Sequence, residues 1–353
     1  MKYNYIIDEP YIEVTSTCNM KCKYCYHGEI YEHSFIDLTI LEKLMIEFKE
    51  NGIKKVKISG GEPFLHPNIW EIIDIIYNSG IEMSIVSNGS IVNYEILINY
   101  IHKIESLNIS LDSFDKNINS ITRLPDFTDK VLSLIVKIIN SGHANKIAVC
   151  SVITKYNYKY IEGYVKTAID YGIKKIYFEL VHREGNKSNY FFDELNLNYD
   201  EYLFVYNMVN SLRKKYKSII SISSIGGFFG GCKIIADPGV ISPRIDYCGN
   251  VYICKSFISK DLSCGNIKDK KMFEIIYSEK VKNFIIKMKN RTNSIEKCKK
   301  CHMKNMFCLG GCFAKSINKV NTFYEVDDLC EFRKKYYIEK IKQVYGKNIK
   351  NFK

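Results

Sequence analysis

Between residues 10 and 216 the chain alternates short β-branched runs with longer stretches whose apolar residues recur three and four positions apart, in units of roughly 30 residues. The runs at 11–16, 55–59, 82–87, 106–111, 146–153 and 174–180 predict strands. Helices are predicted between them. Leu38, Leu41, Leu44, Met45 and Phe48 carry one, and others begin near Asn68, Asn93, Phe127 and Tyr158. Gly52, Gly80, Gly142 and Gly172 fall where helices should stop, at the position that favours a left-handed backbone. Six such units predict an α/β fold, a parallel sheet curled into a partial (β/α)6 TIM-like barrel. An eight-stranded barrel would need more chain before the pattern ends.

The pattern ends after a predicted helix at 199–216. From Ile219 onward serines, glycines and cysteines replace the alternation, and Gly226-Gly227-Phe228-Phe229-Gly230-Gly231 reads as an irregular connection. This predicts a core at 8–217, a cysteine-rich domain at 218–335 and a basic helix or tail at 336–353. A length of 353 residues suits two domains, and 46% hydrophobic residues exclude global disorder. No apolar run approaches the roughly 18 residues of a membrane span, and no signal segment precedes the first strand, so a cytoplasmic location is expected. There, 13 cysteines point to metal or redox chemistry and not to disulfides. The net charge of +12 concentrates at 280–304 and 333–353. A solvated surface and a face for an acidic partner both fit it, and charge alone does not choose.

In a β/α barrel the chemistry collects at the C-terminal ends of the strands. The first predicted strand leads into Cys18-Asn19-Met20-Lys21-Cys22-Lys23-Tyr24-Cys25. Three thiolates at C-x3-C-x2-C suit a metal centre that keeps one position open, such as an iron–sulfur cluster with one free iron. Zinc is the alternative, with His27 as a fourth ligand. The second strand ends in Ser59-Gly60-Gly61-Glu62-Pro63, where two glycines allow close backbone approach and Glu62 can receive an ammonium group. The third ends in Ser87-Asn88-Gly89 and the fourth in Ser110-Leu111-Asp112, a hydroxyl and a carboxylate suited to a ribose. Strand-end capping is the plainer reading of Ser87, Ser110 and Asp112 taken singly. Cys150 reads as a buried small hydrophobe. Glu179, His182 and Arg183, ending the sixth strand, fit either a substrate-facing or a structural role.

An open cluster, an amine site and a ribose site at one opening match the parts of S-adenosylmethionine. With Cys18, Cys22, Tyr24 and Cys25 as C-x3-C-x-aromatic-C, and Gly60-Gly61-Glu62-Pro63 one strand later, most of the chain resembles the radical S-adenosylmethionine (radical SAM) enzymes. The resemblance implies a [4Fe–4S] core cluster on the three cysteines, with the cofactor's amine and carboxylate on the free iron. It implies that Glu62 orients the amine beside Gly60 and Gly61, and that Ser87, Ser110, Asp112 and Arg123 contact the cofactor. It also implies the reaction: one electron from the reduced cluster breaks the C5′–S bond, and the 5′-deoxyadenosyl radical abstracts a substrate hydrogen. A reductant such as flavodoxin or ferredoxin is the implied electron source. The resemblance names no catalytic acid or base.

Cys298-x2-Cys301-x6-Cys308-x3-Cys312, then Cys330, are dense enough for metal ligation, and Gly249-Asn250-Val251-Tyr252-Ile253-Cys254 follows Cys232. A zinc ribbon also uses paired cysteines at such spacings. The arrangement resembles the SPASM extension of peptide-modifying radical enzymes, which implies one or two auxiliary [4Fe–4S] clusters. Cys232, Cys254 and Cys312 would hold the first, and Cys298, Cys301, Cys308 and Cys330 the second. Cys301 to Cys308 is one residue longer than the usual spacing. An apparent insertion at 244–248 adds Cys248, and Cys264 is a further candidate for the first cluster.

The function so implied is hydrogen abstraction from a peptide or protein, maturing a ribosomally made peptide by a thioether or carbon–carbon crosslink or by epimerisation. The rival within the fold is an anaerobic sulfatase-maturating, formylglycine-forming enzyme. Those relatives carry an aspartate after the cysteine of Gly-x4-Cys, where this chain has Lys255. The N-terminal extension with which many peptide-maturing relatives grip a leader has no counterpart here, so a separate leader-binding protein or a small substrate is expected. From another class comes a zinc-stabilised protein that docks RNA or an acidic partner through the basic C-terminal third. Neither membrane nor nucleic acid is expected as a partner.

Overall fold

The structure is a computed structural model that describes residues 5–27, 33–125, 127–183, 185–223, 232–235, 239–304 and 308–345. The predicted connection at 226–231 and the end of the basic tail lie outside the described residues. All six predicted strands are present, to within a residue at either end. They are β1 (Tyr11–Thr15), β2 (Lys55–Gly60), β3 (Glu82–Ser87), β4 (Ser106–Ser110), β5 (Ile147–Ile153) and β6 (Lys175–Leu180), paired in parallel in chain order. Helices α1 (Leu38–Glu50), α2 (Ile69–Asn78), α3 (Tyr94–Tyr100), α4 (Lys116–Thr122), α5 (Phe127–Ile138), α6 (Ile161–Asp170), α7 (Gly185–Leu195) and α8 (Tyr199–Lys215) intervene or follow. The four predicted glycine stops all have positive φ.

Register divides the side chains between two faces. Ile12, Ile58, Ile85, Leu107 and Ile147 form one continuous row, each fully buried. This is the apolar face that parallel strands bury under helices. Helix α1 buries Leu41, Leu44, Met45 and Phe48, and α2 buries Ile69, Ile72, Ile73 and Ile76. The opposite face is polar. Tyr11, Lys57, Ser84 and Ser106 make one row, and Ser110, Cys150 and Tyr177 another.

The sheet is larger than the periodicity indicates. β7 (Ser221–Ile222) pairs in parallel with β6. On the other edge β8 (Arg244–Ile245) pairs in parallel with β1, followed by antiparallel β9 (Asn250–Tyr252) and β10 (Gly265–Asn266). Contacts divide the chain into one unit of 7–225 with 242–276, and a second of 1–6, 226–241 and 277–353. This contact division differs from the expected domain of 218–335. Its residues 242–276 belong to the sheet because Arg244 and Ile245 pair with Tyr11 and Ile12. The expected start of a separate tail at 336 falls inside one helix, Cys330–Tyr345. No described helix is long and apolar enough to cross a membrane.

Candidate active site and cluster ligands

The loop that follows β1 is laid on the end of β2 by backbone hydrogen bonds. Gly61 N donates to Thr15 O and Glu62 N to Thr17 O, both at 2.7 Å. A Cβ on Gly60 would overlap the Thr15 carbonyl oxygen, and one on Gly61 the Thr17 carbonyl oxygen. The two glycines thus make room for the backbone that presents Cys18. Cys18, Cys22 and Cys25 are half-buried. Met20 N donates to Cys18 Sγ at 3.4 Å, and Arg123 Nη1 to Cys22 Sγ at 3.7 Å. Burial pushes the Cys18 thiol up to about 12, and the negative potential of Glu62, Cys22 and Cys25 adds to it. Three thiols on one loop are the donor set an iron–sulfur cluster takes, and a bound metal holds such thiols deprotonated. Among the described residues no three His, Cys, Asp or Glu side chains converge closely enough for a single metal ion. His27, the candidate fourth zinc ligand, sets its Nε2 3.5 Å from Glu13 Oε1.

Glu62 is fully buried and caps the short helix Pro63–Leu65. Its Oε1 accepts from Ser87 Oγ at 2.7 Å and Phe64 N at 3.2 Å, and its Oε2 from Asn88 N at 2.6 Å. Burial raises its pKa to about 7 against the pull of these three donors. Ser87, expected at the cofactor, spends its hydroxyl proton on Glu62 and accepts from Gly89 N at 2.9 Å. It buttresses the carboxylate. Asn88 continues the chain of bonds to the cysteine loop through Asn19 Oδ1 at 2.8 Å.

Asp112, expected at a ribose, is engaged within the protein. Its side chain is 1% exposed. Oδ2 accepts from Tyr24 OH at 2.5 Å, Thr122 Oγ1 at 2.8 Å and Arg123 Nε at 3.0 Å. Oδ1 accepts from Val152 N at 3.0 Å and Arg123 Nη2 at 3.3 Å. Five donors exhaust the lone pairs of a carboxylate. Asp112 therefore joins the motif's aromatic residue to the arginine that reaches Cys22, and Lys23 N pins the same loop to Thr122 O at 3.0 Å. Tyr24 also packs against Val181, Phe192 and Leu195 at the end of β6 and on α7. Ser110 is the half-buried last residue of β4.

The C-terminal cysteines fall in both units. Cys248, Cys254 and Cys264 are half-buried in the first unit, around β9, while Cys232 and Cys312 belong to the second. Cys298, Cys301, Cys308 and Cys330 all line one cavity of about 250 Å³ within the second unit. Those four are the set expected on one auxiliary cluster, and the longer spacing from Cys301 to Cys308 does not keep them apart.

The family comparisons agree with this geometry. A model described as the radical SAM superfamily matches residues 12–168, and one described as an iron–sulfur cluster-binding domain matches 241–302. The chain belongs to the radical SAM superfamily. A GTP 3′,8-cyclase of Campylobacter fetus subsp. fetus (strain 82-40) is 25% identical over 255 residues, 70% of this chain and 76% of that protein. A GTP 3′,8-cyclase of Haemophilus influenzae (strain PittGG) is 31% identical over 53% of this chain and 56% of its own length. Among solved structures, Streptococcus suis SuiB bound to S-adenosylmethionine shares the fold with a TM-score of 0.76 and 18% identity, over 94% of this chain and 79% of SuiB. Native anSMEcpe with bound AdoMet does so with a TM-score of 0.70 and 20% identity, over 96% of this chain and 98% of that one. This radical SAM enzyme takes a [4Fe–4S] core cluster, S-adenosylmethionine and auxiliary iron–sulfur clusters.

Other polar residues of the enzyme escaped the sequence reading. Glu13 lies fully buried on the polar face of β1. It accepts from Arg244 Nη1 at 2.8 Å and Tyr26 OH at 3.1 Å. An acid between Ile12 and Val14 in a strand was the available signal. Arg244 carried none, lying in the apparent insertion. Cys150 is half-buried on the polar face beside Ser110 and Tyr177. Burial and then Glu179 push its thiol up to about 12. Arg183 is engaged structurally, with Nη2 2.8 Å from Asp193 Oδ1 and its guanidinium 4.1 Å from the Phe192 ring centroid.

Proposed function

We propose that this enzyme modifies a peptide or protein, maturing a ribosomally made peptide, with the core cluster on Cys18, Cys22 and Cys25. The observation that carries the reading is the cavity lined by Cys298, Cys301, Cys308 and Cys330, the first two of which fall in the stretch that matches an iron–sulfur cluster-binding domain. Solved structures of the same fold include SuiB bound to precursor peptide SuiA and anSMEcpe with a bound Cp18Cys peptide. When bound, the cluster and S-adenosylmethionine supply a carbon radical that removes a hydrogen atom from substrate. The chain's own residues fix where this happens. Gly60 and Gly61 seat the cysteine loop, the Tyr24–Asp112–Arg123 network holds it, and Glu62 receives the cofactor's ammonium group. Lys255 follows Cys254 where sulfatase-maturating relatives carry an aspartate as base, and this weighs against formylglycine formation. A reductant such as flavodoxin, a separate leader-binding protein and a cytoplasmic location complete the reading.

Glu62 makes the reading pH-dependent. Its pKa in the folded chain is raised to about 7, so the carboxyl is protonated below that pH and cannot pair with an ammonium group. Affinity for S-adenosylmethionine should fall about tenfold between pH 8 and pH 6, measured by calorimetry on the cluster-loaded protein. The slope should vanish in Glu62→Gln. A flat profile in the parent protein would remove Glu62 from this role.

The cyclase relatives favour a second reading, in which the substrate is a nucleotide. Anaerobic protein, reductant and S-adenosylmethionine should release 5′-deoxyadenosine faster with a short peptide encoded beside this gene than with GTP. Stimulation by GTP, with a cyclised nucleotide product, would replace the peptide reading.

A further inference from the structure

Two arginines are buried next to the four-cysteine cavity, and they differ in what answers their charge. Arg333 is 3% exposed and sends both terminal nitrogens to Asp327, Nη1 at 3.2 Å. Asp327 also accepts from Cys312 N at 2.8 Å. Arg291 is 1% exposed; its hydrogen bonds go to carbonyls, Nη2 to Gly310 O and Nη1 to Phe323 O at 3.4 Å, and its guanidinium lies 5.9 Å from the Phe313 ring centroid. Its Nε is buried with no hydrogen-bond partner, and no Asp or Glu among the described residues forms an ion pair with it. The two therefore titrate in opposite directions. Burial works against the charge of Arg333, but Asp327 more than offsets it and its pKa is raised. For Arg291 burial dominates and the pKa is lowered, against the pull of Asp327, Cys312, Cys298 and Cys232.

A buried guanidinium with no carboxylate partner of its own is costly unless other negative charge answers it. Asp327 also acts on Arg291, but that carboxylate is bonded to Arg333. The sulfurs of the cavity are close as well: Arg291 Nη2 donates to Gly310 O, and Gly310 lines the cavity with Cys298, Cys301, Cys308 and Cys330. The turn before Cys312 accommodates the guanidinium. A Cβ on Gly310 would stand 2.8 Å from Thr292 Cγ2 and 3.2 Å from Arg291 Nε.

We propose that Arg291 is the counter-charge of the auxiliary iron–sulfur centre of the four-cysteine cavity, placed to answer the negative charge that a thiolate-ligated cluster brings into this buried region. The assignment rests on the reading that these cysteines hold clusters. A fixed cation beside a cluster favours its more negative, reduced form, so Arg291 raises the reduction potential and slows loss of iron.

The test uses the full chain with Cys18, Cys22 and Cys25 changed to alanine, so that only auxiliary iron is counted. Arg291→Met should shift the one-electron reduction equilibrium of the auxiliary centre about tenfold toward the oxidised form, about 59 mV more negative. It should also speed iron loss to a chelator about tenfold, and Arg291→Lys should recover part of both. Thermal stability should fall further in the iron-loaded variant than in the iron-free one. Equal stability losses with an unchanged potential would make Arg291 merely structural and overturn the proposal. Absence of iron from the cysteine-core variant with Arg291 intact would instead overturn the auxiliary-cluster reading, and the role of Arg291 with it.

Discussion

Gly61→Ala should lose about 3 kcal/mol of stability and cut 5′-deoxyadenosine release about a hundredfold. The added methyl meets the Thr17 carbonyl oxygen, which is backbone and cannot rotate away. Thr17 must then move, and with it Cys18 and the Glu62 N–H bond to Thr17 O. Gly52→Ala supplies the contrast. Gly52 has φ of 74° but nothing within 4 Å of an added Cβ. That substitution should cost only about 1–2 kcal/mol of backbone strain and leave cofactor cleavage unchanged. Denaturant unfolding and product analysis of the two variants check both statements. Equal effects at the two glycines would refute the close-packing account.

Asp112→Ala should destabilise the enzyme by about 3–5 kcal/mol, the cost of leaving Arg123 buried without its anion. Tyr24 OH, Thr122 Oγ1 and Val152 N lose their acceptor in the same step. The loop around Cys22 then loses the arginine's fixed position, and iron retention should fall. Combining Asp112→Ala with Arg123→Met removes the stranded charge, so stability should partly return while iron retention does not. Unfolding free energies and iron content measured on both variants decide this. If Asp112→Ala unfolds like the parent, the carboxylate is a cofactor contact after all and the network is not holding the loop.

Much of the barrel was legible because parallel strands buried by helices announce themselves as β-branched runs. The row Ile12, Ile58, Ile85, Leu107 and Ile147 is that signal in three dimensions. The cysteine triad and Glu62 were legible as residue chemistry at strand ends. The strands β8 to β10 were not, since two- and three-residue strands carry no period, and a pairing between Arg244 and Tyr11 spans most of the chain. The role of Asp112 was hidden for a related reason. Sequence placed it correctly at the end of β4 but could not count its donors, three of which come from residues distant along the chain or outside any motif. Arg291 looked like one more cation in a basic stretch, and only burial and the lack of a carboxylate partner distinguish it.

The central claim is that Cys18, Cys22 and Cys25 hold the cluster that cleaves S-adenosylmethionine. Anaerobically purified protein should be brown, with about twelve irons per chain if three four-iron clusters form. With reductant it should release 5′-deoxyadenosine, and Cys22→Ala should reduce that release to background. Release that survives Cys22→Ala, or a colourless protein carrying only zinc, would contradict the account.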